Sequence, residues 1–120
     1  MLGYKLFASG VDTLGVSALV QDVGTSISAA GTTQGTATAL TNALNGVSTV
    51  ASGAGVVLYA GSAGDCQLVY NGGANPVNVY PPVGAKINGM PTNTPHSLGT
   101  NTACEYWFLS ATQLVGVLSA

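Results

Sequence analysis

The run that decides the fold is Cys66-Gln67-Leu68-Val69-Tyr70, then Asn71-Gly72-Gly73-Ala74-Asn75, then Val77-Asn78-Val79-Tyr80 closed by Pro81-Pro82. The first five residues carry the apolar and aromatic side chains that suit a pleated, half-buried surface. Asn71-Gly72-Gly73 reads as a tight turn, because Asn and Gly adopt positive φ at little cost. Val77 to Tyr80 alternates, with Val77 and Val79 on one side and Asn78 and Tyr80 on the other. Pro81-Pro82 ends that strand, since proline has no N–H to give to a sheet ladder.

The same punctuation continues in both directions. Upstream, Val47-Ser48-Thr49-Val50-Ala51 is short and β-branched, Gly53-Ala54-Gly55 is a turn, and Val56-Val57-Leu58-Tyr59 is apolar throughout, as in a strand covered on both faces. Downstream, Gly84-Ala85-Lys86-Ile87-Asn88 reads as a polar turn and Gly89 to Thr102, with Pro91 and Pro95, as a loop. Glu105 to Ser110 is the next strand and Gln113 to Leu118 the last. Short strands every 8 to 12 residues, separated by turn chemistry, predict an all-β domain: a small β-sandwich of jelly-roll type or a barrel. Ala37, Leu40 and Leu44 are spaced by three and four, which fits a short helix over 34–44 ended by Asn45-Gly46. Thr36, Thr38 and Thr41 pull the same segment towards strand. No internal repeat of 20 to 50 residues is visible. Residues 1–22 read as an N-terminal segment or arm, and 23–120 as one sandwich domain, since 120 residues are one domain long.

Charge is the unusual quantity. Asp, Glu, Lys and Arg make up 5% of the chain, against about 25% in an ordinary soluble domain. The basic residues are Lys5 and Lys86; the acids are Asp12, Asp22, Asp65 and Glu105. A surface built from Ser, Thr, Asn and Gly costs little to desolvate and gives almost no repulsion between copies. Both properties favour self-association. Two cations are too few for a nucleic-acid interface, whose affinity comes from phosphate contacts and counterion release. An anionic membrane surface is disfavoured for the same reason. No unbroken apolar stretch of about 18 residues predicts a membrane-spanning helix, and Met1 to Ala8 makes a poor signal-peptide core.

The chemistry-bearing residues are few. His96 is the only histidine and sits between Pro95 and Ser97, where it reads as a surface-loop residue. Cys66 or Cys104 with His96 is the one available nucleophile pair, and no spacing requires it. Both cysteines fall in predicted strands, where they can form a disulfide or stay as two buried thiols. The acids stand singly, so we expect no catalytic site, no cofactor and no metal. Among the aromatics, Tyr106 and Trp107 are adjacent on one strand, so one of them enters the core. The corners around Asn71 and Asn75 can be held by Asn side chains bonding nearby backbone, or can present those side chains, with Tyr80, to a partner.

The segment from Gly55 to Gly89, GVVLYAGSAGDCQLVYNGGANPVNVYPPVGAKING, followed by a polar loop and the aromatic strand reaching Trp107, resembles small bacteriophage and prophage proteins classed as virion structural components, often of the head. The likeness extends over roughly residues 25–110 and is most specific from Asn71 to Asn88. It departs from the usual pattern at Leu58-Tyr59, where Leu-Pro is customary, and it does not include the N-terminal segment. The resemblance implies a non-enzymatic β-sandwich unit on a phage particle. By analogy with capsid decoration (cement) proteins, it implies a homotrimer on the head surface with the major capsid protein as partner. The contact candidates are then Tyr4, Leu6 and Phe7 in the N-terminal segment, and Asn71, Asn75 and Tyr80 at the corners. The alternative it leaves open is a receptor-binding head- or tail-fibre module, with Tyr106 and Trp107 stacking on a host-surface glycan.

Overall fold

The computed structural model describes residues 22–119. Ten strands form: β1 (Val23–Ser28), β2 (Thr38–Ala39), β3 (Leu44–Thr49), β4 (Gly55–Val57), β5 (Cys66–Asn71), β6 (Val77–Tyr80), β7 (Lys86–Ile87), β8 (His96–Leu98), β9 (Thr102–Phe108) and β10 (Gln113–Leu118). Among the described residues there is no helix, and the fold is all-β.

The strands form two sheets, β1-β3-β5-β9-β10-β7 and β2-β4-β6-β8. From β1 to β6 the chain alternates between them, and neighbours within each sheet run parallel. Parallel neighbours need a crossover, and here each crossover is a strand of the other sheet. Register partners lie one coil apart: Val23 faces Leu44, Leu44 faces Leu68, Thr38 faces Val56, and Gly55 faces Asn78. This is a solenoid-like coil of two sheets, not a jelly roll, whose neighbours are antiparallel. The coil then closes on itself. Strand β8 lies antiparallel on β6, and β9 lies antiparallel on β5, so the direction reverses in both sheets. Strand β10 returns as a hairpin partner of β9, and two-residue β7 pairs parallel with it.

The corner after β5 shows why the chain crosses over instead of folding back. Asn71 is fully buried. Its Oδ1 accepts from the Gly73 N–H (2.8 Å), and its Nδ2 donates to the carbonyls of Asn75 (2.9 Å) and Leu98 (3.0 Å). Asn75 Nδ2 reaches the Val50 carbonyl of the preceding corner (2.9 Å). A Cβ on Gly73 would lie 2.9 Å from the Val50 backbone nitrogen, so only glycine lets the two corners stack this closely. The tight turn expected at Asn71-Gly72-Gly73 is thus a corner from one sheet to the other, with no positive φ at these three residues, and it is held by side-chain amides that replace lost water.

The helix expected over 34–44 is absent. A turn closes there, with Thr36 and Ala37 N–H both donating to the Thr33 carbonyl, and β2 follows. The Thr38 hydroxyl donates to the Ser28 carbonyl (2.8 Å) and Leu40 N–H to the Val57 carbonyl (2.9 Å), so the segment is bonded to its neighbours instead of to itself. Leu40 is buried while Leu44 is exposed, so the residues read as one helix face separate. The polar turn expected at Gly84 to Asn88 contains β7, and the loop expected from Gly89 to Thr102 contains β8.

The core lies between the sheets. Val47, Val69, Tyr106, Phe108 and Leu114 from the larger sheet meet Val56, Val77, Val79 and Leu98 from the smaller. Burial of a single such side chain stabilises by about 1.5–3 kcal/mol.

Candidate interaction face

Strand alternation aims the other half of the larger sheet outward. In β5, Gln67, Val69 and Asn71 are buried, so Cys66, Leu68 and Tyr70 point away from the core. In β9, Cys104, Tyr106 and Phe108 are buried, and Ala103, Glu105 and Trp107 point out. In β10, Leu114 points in while Val115 and Val117 point out. Register then joins these into rows. Val23, Leu44, Leu68, Glu105 and Val117 lie side by side across five strands. Cys66, Trp107 and Val115 form a second row, and Gly46, Tyr70 and Ala103 a third.

The outer face is therefore apolar across its width. Val23 is 46% exposed, Tyr70 43% and Val117 53%. A shallow depression lined by Leu68, Ala103, Cys104, Glu105, Val117, Leu118 and Ser119 lies over β5, β9 and the end of β10. With strands about 4.8 Å apart and residues about 3.3 Å apart, the face covers about 500 Å². A contiguous patch of about 300–600 Å² is the largest a typical monomer shows, and it is often functional.

One carboxylate interrupts the centre of the face. Trp107 Nε1 donates to Glu105 Oε1 at 3.1 Å, which ties the indole to the strand and orients the carboxylate. Beside Trp107, the Cys66 thiol is pushed up to about 11, first by burial and then by the Glu105 carboxylate. It stays protonated at neutral pH and is a poor nucleophile.

Three further titratable side chains, His96, Tyr106 and Cys104, are turned inward. His96 lies on β8, not in a surface loop, and its Nδ1 is 2.8 Å from the Tyr106 hydroxyl with the rings edge to face. Burial lowers the His96 pKa and raises that of the fully buried Tyr106, so each is biased towards its neutral form. Cys104 is buried and its thiol is pushed up by the same desolvation. Cys66 and Cys104 are free, on opposite faces of the larger sheet. Among the described residues no three of His, Cys, Asp and Glu come together as metal ligands.

The residues singled out from sequence fall in different places. Tyr4, Leu6 and Phe7 lie outside the described residues. Asn71 is enclosed in its corner instead of offered to a partner, and Tyr80 is 6% exposed with its hydroxyl donating to the Thr32 carbonyl (3.1 Å). Asn75 is partly exposed, but its amide is spent on Val50. Tyr106 has no exposed surface for a glycan to meet, while Trp107 is half-buried on the outer face. Leu44, Leu68, Val115, Val117 and Glu105 were missed. The signal that could have found part of the face is that Cys66, Leu68 and Tyr70 alternate with Gln67, Val69 and Asn71, so the more apolar set of β5 is the one turned outward.

A scan of family models, a search of curated proteins and a search of solved structures each return no match to this chain. The virion reading therefore stands on the sequence resemblance, and the interaction reading on the outer face.

Proposed function

We propose that this protein is a non-enzymatic structural module that works by burying the outer face of its larger sheet against further copies of itself. The observation that carries this is the row Val23, Leu44, Leu68, Glu105 and Val117, which sets four apolar side chains and one carboxylate across five strands. Two such faces together remove about 1,000 Å² from water, the lower bound for a specific interface. The charge-poor surface adds no repulsion to oppose it.

In the setting implied by the resemblance, the module is a bacteriophage virion protein: a homotrimeric capsid decoration unit bound to the major capsid protein on the head surface. Its work is mechanical. Apolar area buried across shell joints, at about 25 cal/mol per Å² before association costs, raises the barrier to rupture. Many copies acting together need little affinity each.

Two experiments test the reading. Light scattering coupled to size exclusion is expected to give three times the chain mass; a monomer at micromolar concentration contradicts the trimer. Cosedimentation with empty heads of the phage that encodes the protein tests the setting. Binding to heads supports the decoration role, and binding to host-surface glycan instead supports the fibre role.

A further inference from the structure

The outer face carries its own complement to Glu105. Lys86 is the only Lys or Arg among the described residues. It sits on β7, the edge strand beside β10, in register with Gln113. Its neighbour Ile87 is fully buried, so Lys86 points out of the same face as Glu105, whose neighbours Cys104 and Tyr106 are buried. The two charges cannot meet within one chain. Glu105 is in register with Val117, four residues along β10 from Gln113 and one strand further across. That places them about 14 Å apart along the strands and about 10 Å across them, roughly 17 Å in all. An ion pair needs about 4 Å.

We infer that Glu105 of one copy pairs with Lys86 of another when the outer faces meet, and that this pair sets the offset between them. The inference rests on the outer face being the self-association surface. Covering Glu105 with an apolar partner would leave a buried, unpaired charge, which is strongly disfavoured. Lys86 is the cation that the described residues of a second copy can bring to it. Packed sheets lie about 10 Å apart, a gap that an extended Lys and Glu together span. Trp107 already holds one carboxylate oxygen, leaving Oε2 for the ammonium. Because Lys86 is at an edge and Glu105 near the centre, the edge of one copy lies over the middle of the next. Repeated head to tail, that contact gives a ring where the rotation closes, and a trimer is one such ring.

The test is a charge swap read by light scattering coupled to size exclusion, with thermal melts to confirm folding. Glu105→Lys and Lys86→Glu are each expected to weaken association by about tenfold or more, and the double variant to restore it. Glu105→Gln, which keeps an acceptor for Trp107, is expected to weaken it as well. Singles that assemble like the parent, or a double variant as weak as the singles, overturn the pair. Leu68→Ser separates this from the underlying reading. If Leu68→Ser dissociates the protein while the charge variants do not, only the pair falls; if Leu68→Ser assembles normally, the face itself is wrong, and the pair with it.

Discussion

The inner and outer faces of the six-stranded sheet are built from the same strands, residue by residue in alternation, and they differ in how their polar groups are treated. The inner face buries three amides. Gln67 forms a two-way clamp, donating to the Tyr59 carbonyl (2.7 Å) and accepting from its N–H (3.1 Å), and Asn71 holds the next corner. Asn45 donates to the carbonyls of Asn42 (2.8 Å) and Leu68 (3.1 Å). These bonds fix the path of the chain, so the inner face specifies the coil. The outer face buries no amide: most of its side chains are apolar, Glu105 is tied to Trp107, and the Gln113 amide bonds backbone at the edge beside β7. A surface with nothing to say about its own chain is free to be specific for something else.

The comparison is broken most directly by removing a large side chain from each face. Phe108→Ala is expected to cost about 3–5 kcal/mol of stability in chemical denaturation, because the ring leaves a cavity in the core. The same truncation at its neighbour Trp107, measured where the protein is dissociated, is expected to cost much less, since that ring packs on the solvent side. Equal losses would mean that the outer face belongs to the fold.

A smaller effect is expected from Asn71→Ala, at about 2–3 kcal/mol. It strands the Gly73 N–H and the carbonyls of Asn75 and Leu98 in a buried corner. Limited proteolysis should find new cleavage between β5 and β6. Unchanged stability and protection would remove the amide from its role.

The smallest effect is a pH dependence from the side packed on the inner face, where His96 of β8 meets Tyr106. Burial lowers the His96 pKa below its ordinary value of 6.5. The unfolded chain then binds more protons than the native one between the lowered native value and 6.5. Stability is full above about pH 6.5 and falls as the pH drops through that window. Denaturation at pH 7.5 and 5.5 should show the loss in the parent and a reduced loss in His96→Asn. An identical slope in the variant would assign the pH dependence elsewhere.

How much of this was legible depended on strand length. The bounds of β6 and β10 coincide with the sequence reading, because an alternating run with Pro81-Pro82 behind it, or a long apolar run at the end, leaves little choice. Strands β2 and β7 have two residues each and β8 has three, too few to display a period. The parallel course was hidden for a different reason. A corner and a hairpin use the same Asn and Gly, and the difference lies in what Asn71 and Asn75 bond to across the sheets. The coil is a repeat in space without a repeat in sequence, since its turns differ in length. For the site, the opposition of Tyr106 and Trp107 could be read from adjacency. The outer face could not, because its rows join residues from five strands whose order was unknown.

The central claim is that the outer face is the surface through which copies meet. Its most direct test is the mass in solution of Leu68→Ser and Trp107→Ser beside the parent protein, with thermal melts alongside. The account predicts an oligomeric parent and two variants that run as monomers with an intact β fold. Variants that keep the parent's mass, or a parent that is itself monomeric, would contradict it.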